Sequence, residues 1–158
     1  MTKNIVKKNK TEHMTVAVSG GFDPIHIGHI RMIQEAKRIA GPDGKVVVIL
    51  NNDHWLRAKK GFVFMPELER KEVLESILGV DRVVLSFHKK NTKDASVCLE
   101  LQKIKPHIFA NGGDRTKKNI PELVAGSEWG MQMVFSVGRG GKVQSSSALA
   151  KKIKKIKI

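Results

Sequence analysis

At 158 residues with 41% hydrophobic content, the chain has the length of one domain and enough apolar side chains for a sizeable core. A single cysteine, Cys98, excludes an internal disulfide framework, and the longest plain apolar run, VVVIL at 46–50, is too short to span a bilayer. The formal net charge of +14 draws anions of any kind without choosing among nucleotides, phosphorylated metabolites, nucleic acid or lipid headgroups.

In chain order, residues 1–13 read as a basic N-terminal extension and 14–158 as the domain. Residues 14–19 predict a strand and 28–40 a helix with Ile30, Ile33, Ala36, Lys37 and Ala40 near one face. The stretch GPDG at 41–44 stops that helix, and 46–50 follows as a continuous apolar strand of the kind that helices cover on both faces. The segment 56–61, LRAKKG, reads as a flexible basic loop. Pro66 opens a helix to residue 78, its inner face predicted from Leu68, Val73, Leu74, Ile77 and Leu78.

Then come a strand at 82–87, a helix at 95–104, a short strand at 107–110 and the loop NGGDR at 111–115. A helix at 121–126, a strand at 131–137 and a helix at 146–157 complete the series. Strict alternation predicts an α/β fold, a doubly wound, five-stranded parallel sheet with helices on both faces and right-handed crossovers. Ligands of such sheets bind beyond the carboxyl ends of the strands, so the loops after Ser19, Leu50, Phe87, Ala110 and Val137 are where chemistry is expected.

The first of these loops is GGFDPIHIGH, residues 20–29. Gly20 and Gly21 permit a tight turn that brings backbone N–H groups toward a ligand, but neither a G-x-G-x-x-G fingerprint nor a G-x-x-x-x-G-K-[ST] loop is present. His26 and His29, three apart at a helix start, project from neighbouring points of one turn, with Gly28 leaving space between them. As metal ligands they are short of partners, since Asp23 alone would join them; plain structural histidines are a second reading. The reading preferred over both is stabilisation of a phosphate chain at the positive end of the helix dipole, with neither metal ligation nor capping as their role.

The loop at 20–29 resembles the HxGH signature of the cytidylyltransferase-like nucleotidyltransferase superfamily. LRAKKG at 56–61, MPELER at 65–70, NGGDR at 111–115 and VQSSS at 143–147 resemble its later motifs in the same order, so the likeness runs from about residue 14 to 152. It implies transfer of a nucleoside monophosphate from a nucleoside triphosphate to a phosphorylated polyol or sugar, with release of pyrophosphate by in-line displacement and no covalent intermediate.

Carried over residue by residue, the resemblance implies His26, His29, Lys59 and Arg115 as catalytic. It implies Gly20, Gly21, Phe22, Asp23, Gly28, Asn111, Asp114, Arg115, Ser145, Ser146 and Ser147 as nucleotide-binding, one serine being expected to cap the last helix. Lys59, Lys60 and Arg70 would hold the acceptor phosphate. Mg²⁺ held mainly by substrate phosphates, a homodimer, and a cytoplasmic location (the N-terminus lacks a secretory apolar core) are further expectations.

CTP is the first expectation for the nucleotide. The glycerol-phosphate type carries an arginine where this chain has Gly140, and DHWLRAKKG at 53–61 with VDRVV at 80–84 resembles adenylyltransferases acting on heptose 1-phosphate, so ATP is the alternative. A distant alternative is a non-catalytic anion-binding or nucleic-acid-binding protein using the basic termini.

Overall fold

The computed structural model describes residues 13–113, 120–138 and 140–155. Five parallel strands are arranged β3-β2-β1-β4-β5, where β1 is Thr15–Gly20, β2 Lys45–Leu50, β3 Arg82–Leu85, β4 Ile108–Gly112 and β5 Gln132–Val137. The helices are α1 (Ile27–Ala40), α2 (Asp53–Lys60), α3 (Glu67–Glu75), α4 (Cys98–Ile104), α5 (Pro121–Ser127) and α6 (Ser146–Lys155). The doubly wound α/β reading therefore holds, and the topological switch lies between β1 and β4.

Strand alternation splits the core in two. Val16 and Val18 of β1, Val46, Val48 and Leu50 of β2, and Ile108 and Ala110 of β4 pack with Met32, Ile33, Ala36 and Ala40 of α1 and Leu74 of α3. Ala17, Ile49 and Phe109, the residues between, pack on the other face with Val97, Leu101 and Met131. β2 is buried on both faces, which explains its uninterrupted apolar run.

Three sequence expectations are corrected. The segment expected to be a loop at 56–61 is the second half of α2: Asn52 caps it by accepting from the Trp55 N–H, Leu56 is fully buried, and Gly61 closes it in the left-handed conformation. α3 ends at Glu75, and its inward residues are Arg70 and Leu74. Leu68, Val73 and Leu78, expected on the inner face, are 68%, 37% and 94% exposed. The helical period admits either face; the buried hydrogen bonds of Arg70 select this one. Finally, α4 starts at Cys98 rather than Ala95, because the Ala95 and Ser96 carbonyls accept from the Trp55 indole and the His88 ring.

Candidate active site

A cleft of about 290 Å³ opens at the switch point, between the carboxyl ends of β1 and β4. Ser19 lies at its base; His26, Gly28, His29 and Met32 come from the start of α1, and Lys60 from the end of α2. Asn111, Gly112 and Gly113 close the β4 side, and the segment 141–147 leading into α6 closes the rest.

The two histidines build the start of α1. The Gly28 N–H donates to His26 Nδ1 at 3.1 Å, and the His26 N–H donates to His29 Nδ1 at 3.2 Å, a capping box made of imidazoles. This corrects the sequence reading, which set capping aside. A ring nitrogen that accepts a hydrogen bond carries no proton, so each neutral ring holds its proton on Nε2 and is a donor there.

The rings stack, centroids 3.7 Å apart, and His29 also meets Phe22 at 4.6 Å. Burial, then the neighbouring His26 and Lys60, hold the His29 pKa down to about 3; burial and Lys60 also lower that of His26. Near neutral pH both rings are thus neutral donors. Gly28 serves this geometry directly: a Cβ there would lie 3.0 Å from the His26 ring.

The lysine pair divides. Lys60 is half-buried and lines the cleft, its pKa lowered by burial first, with Asp23 opposing and Arg70 adding to the shift. Lys59, expected to be catalytic, is exposed one residue earlier and does not line the cleft, because Leu56 and Lys60 occupy the inward face of α2. A Cβ at Gly21 would come within 2.9 Å of the end of the buried Leu56 side chain, which would have to shift to admit it.

Arg70, expected on the acceptor phosphate, is 1% exposed and fully engaged inside the protein. Its guanidinium donates to the carbonyls of Met65 (2.8 Å), Gly21 (2.6 Å) and Asn51 (2.8 Å) and pairs with Asp53 at 2.7 Å. It thereby ties together the loop after β1, the loop after β2 and the start of α3. Asp23 completes the tie, accepting from the N–H groups of Phe64 (2.8 Å) and Met65 (2.7 Å). Asp23 and Phe22, expected to bind nucleotide, are 0% and 1% exposed and shape the loop from within, and Gly20 and Gly21 do not line the cleft either.

At the other wall, the Ser145 hydroxyl accepts from the Ala148 N–H and caps α6. The Ser146 hydroxyl donates to the Pro24 carbonyl at 2.8 Å, fastening α6 to the histidine loop. That corrects the expectation that two serine hydroxyls are free: the Ser147 hydroxyl stays exposed, beside the first-turn N–H groups of α6.

The cytidylyltransferase-like family matches this chain over residues 17–147, from β1 to the serine run, and so takes in every wall of the cleft. The chain belongs to that family, one of nucleotidyltransferases. An FAD synthase of Methanothermobacter marburgensis is 31% identical over 154 residues, covering 94% of this chain and 91% of that one. The bifunctional protein HldE of Streptomyces coelicolor is 32% identical over 143 residues, 89% of this chain but 28% of its own length. Among solved structures, the lipopolysaccharide core biosynthesis protein of Thermoplasma volcanium GSS1 shares the fold with a TM-score of 0.59 and 24% identity, over 77% of this chain and 93% of that one.

Of the residues implied by the family resemblance, the cleft gathers His26, His29, Gly28, Lys60, Asn111, Ser145, Ser146 and Ser147. Asp114 and Arg115 lie outside the described residues. Sequence reasoning missed Ser19, Met32, Val137, Gly141 and Gln144 as cleft walls. The GRGGK run at 138–142 was the available signal for the last wall, since consecutive glycines let a backbone pass close to a ligand.

Proposed function

We propose that the chain transfers an adenylyl group from ATP to the phosphate of a phosphorylated polyol or sugar and releases pyrophosphate. The observation that carries this reading is the pair of neutral imidazoles with Nε2–H donors in one cleft with Lys60. Charge grows on the α-phosphoryl oxygens and the departing pyrophosphate during in-line displacement, and fixed donors that need no reorganisation stabilise it. Among the described residues no serine of the cleft is hydrogen-bonded to a histidine, and both imidazole Nδ1 atoms are already engaged, in keeping with direct attack by the acceptor phosphate.

ATP replaces CTP, the first expectation, because a relative that matches along nearly the whole chain is an FAD synthase, whose product contains an adenylyl group. Gly140 supports the same choice by departing from the glycerol-phosphate pattern.

Among the described residues the cleft is lined by imidazole, amine, amide and hydroxyl groups and no carboxylate, and no three His, Cys, Asp or Glu side chains cluster. That donor set fits Mg²⁺ held by the substrate's own phosphates, where it would neutralise the pyrophosphate. The chain's own residues would hold and orient the phosphates: His26 and His29 at the α–β bridge, Lys60 between the triphosphate and the acceptor, and the α6 start at the far end.

The test is a pyrophosphate-release assay of ATP, CTP, GTP and UTP against a panel of phosphorylated polyols and sugars. Release with ATP that depends on one acceptor class is expected. A faster reaction with CTP overturns the choice of nucleotide, and no release from any pair overturns the reaction.

A further inference from the structure

A second concavity, of about 500 Å³, lies beside the cleft and is lined by His54, Arg57 and Ala58 of α2 and by Lys90 and Asn91 of the loop after β3. No carboxylate lines it, and among the described residues neither Arg57 nor Lys90 enters an ion pair. An anion seated in a hollow lined by basic side chains and no carboxylate gains their attraction without competing with an existing ion pair.

The hollow is built. The Trp55 indole donates to the Ala95 carbonyl, Asn52 Nδ2 donates to the His88 carbonyl at 2.8 Å, and the His88 ring reaches the Ser96 carbonyl at 2.9 Å. The first two fasten the loop to the start of α2, and the third closes the loop on itself. Between them a turn closed by the Thr92 N–H on the Lys89 carbonyl, with Asn91 at φ 58, presents Lys90 and Asn91.

Its place is as telling as its charge. Arg57 and Lys60 stand three apart on α2, so their Cβ atoms are about 5–6 Å from each other. Lys60 faces the cleft and Arg57 the hollow. A molecule whose phosphate meets Lys60 can therefore reach the hollow across one helical turn.

We propose that this hollow binds a second anionic group, phosphate or carboxylate, carried by the acceptor away from its attacking phosphate. The acceptor is then a molecule with two separated anionic groups, and Arg57, Lys90 and His54 select it. This rests on the reading of the cleft as a nucleotidyl-transfer site.

The site itself is tested without turnover. Inorganic phosphate is titrated into the ¹⁵N-labelled full chain, free and saturated with α,β-methylene-ATP, and amide shifts at 54, 57, 90 and 91 are followed apart from those at 28 and 147. Saturable shifts at the first set are expected in both states, weakened at least tenfold in the Arg57→Ala/Lys90→Ala double variant and retained in His29→Ala. Absence of those shifts, or equal binding by the double variant, overturns the site; loss of the shifts on nucleotide saturation assigns the hollow to the nucleotide and overturns the acceptor.

With the acceptor that the pyrophosphate screen identifies, the double variant should raise its KM at least tenfold and leave the KM for ATP unchanged. An unmoved acceptor KM overturns the proposal. A screen without any release strikes the transfer reaction instead, and the phosphate titration still decides the hollow.

Discussion

Two helix starts face each other across the cleft, and they meet the same physical demand differently. Both α1 and α6 must satisfy N–H groups that have no partner inside the helix. α6 uses a serine, Ser145, on the Ala148 N–H and leaves its first N–H groups toward the cleft. At the start of α1 the Gly28 N–H and the N–H of the capping residue His26 each donate to an imidazole Nδ1, which places the donor capacity on Nε2 at the end of each ring. A cap is thus not an alternative to a phosphate-binding role; in α1 it sets the tautomer such a role requires.

The α1 side is also braced from beneath by Arg70. Arg70→Met should therefore have the largest effect in the molecule. It strips an ion pair from Asp53 and orphans three carbonyls, for about 3–5 kcal/mol of stability. Urea unfolding measures it, and a loss below 1 kcal/mol would mean that the brace is not what holds the histidine loop.

His29→Ala should slow pyrophosphate release by about 10²- to 10³-fold. It also removes an acid-sensitive group. A pKa held near 3 in the fold against an ordinary value of 6.5 means that the unfolded chain binds the proton more readily. The His29 contribution is present above pH 6.5 and is lost as pH falls toward 3, at up to about 1.4 kcal/mol per pH unit. Urea midpoints between pH 7 and 4 should fall less steeply in His29→Asn than in the parent chain; parallel slopes would contradict the neutral-imidazole account.

On the α6 side, Ser146→Ala leaves the Pro24 carbonyl without its donor, and about 1–3 kcal/mol of stability should go with it. Its effect on rate should be smaller than that of His29→Ala, because the hydroxyl hydrogen is committed to the Pro24 carbonyl and holds the two walls together. The smallest effect belongs to Lys59: Lys60→Met should impair release strongly, whereas Lys59→Met changes it less than about twofold, in line with the weak contribution of an exposed charge. Equal losses in the two variants would place both amines on the substrate.

Much of the fold was legible in advance. Alternating β-branched runs and amphipathic segments suffice to predict a parallel doubly wound sheet, and the ligand site of such a sheet follows from topology. Errors fell where one residue pattern has two physical solutions. LRAKKG is basic enough for a loop, yet Asn52, Leu56 and Gly61 supply a cap, a buried anchor and a stop, and so a helix. ELERKEVLESIL has apolar residues on more than one side, and the buried hydrogen bonds of a charged residue choose between them.

The sequence by itself determined the order of elements, the switch point and the chemical character of the cleft, because periodicity, turn residues and residue types are local properties. Only the tertiary structure decided which of two adjacent lysines reaches the cleft, that Arg70 is internal, and that the histidines are neutral Nε2–H donors. Each of these depends on a partner far along the chain or on a ring nitrogen's neighbour, and hydrogen-bond direction and burial are written in three dimensions only.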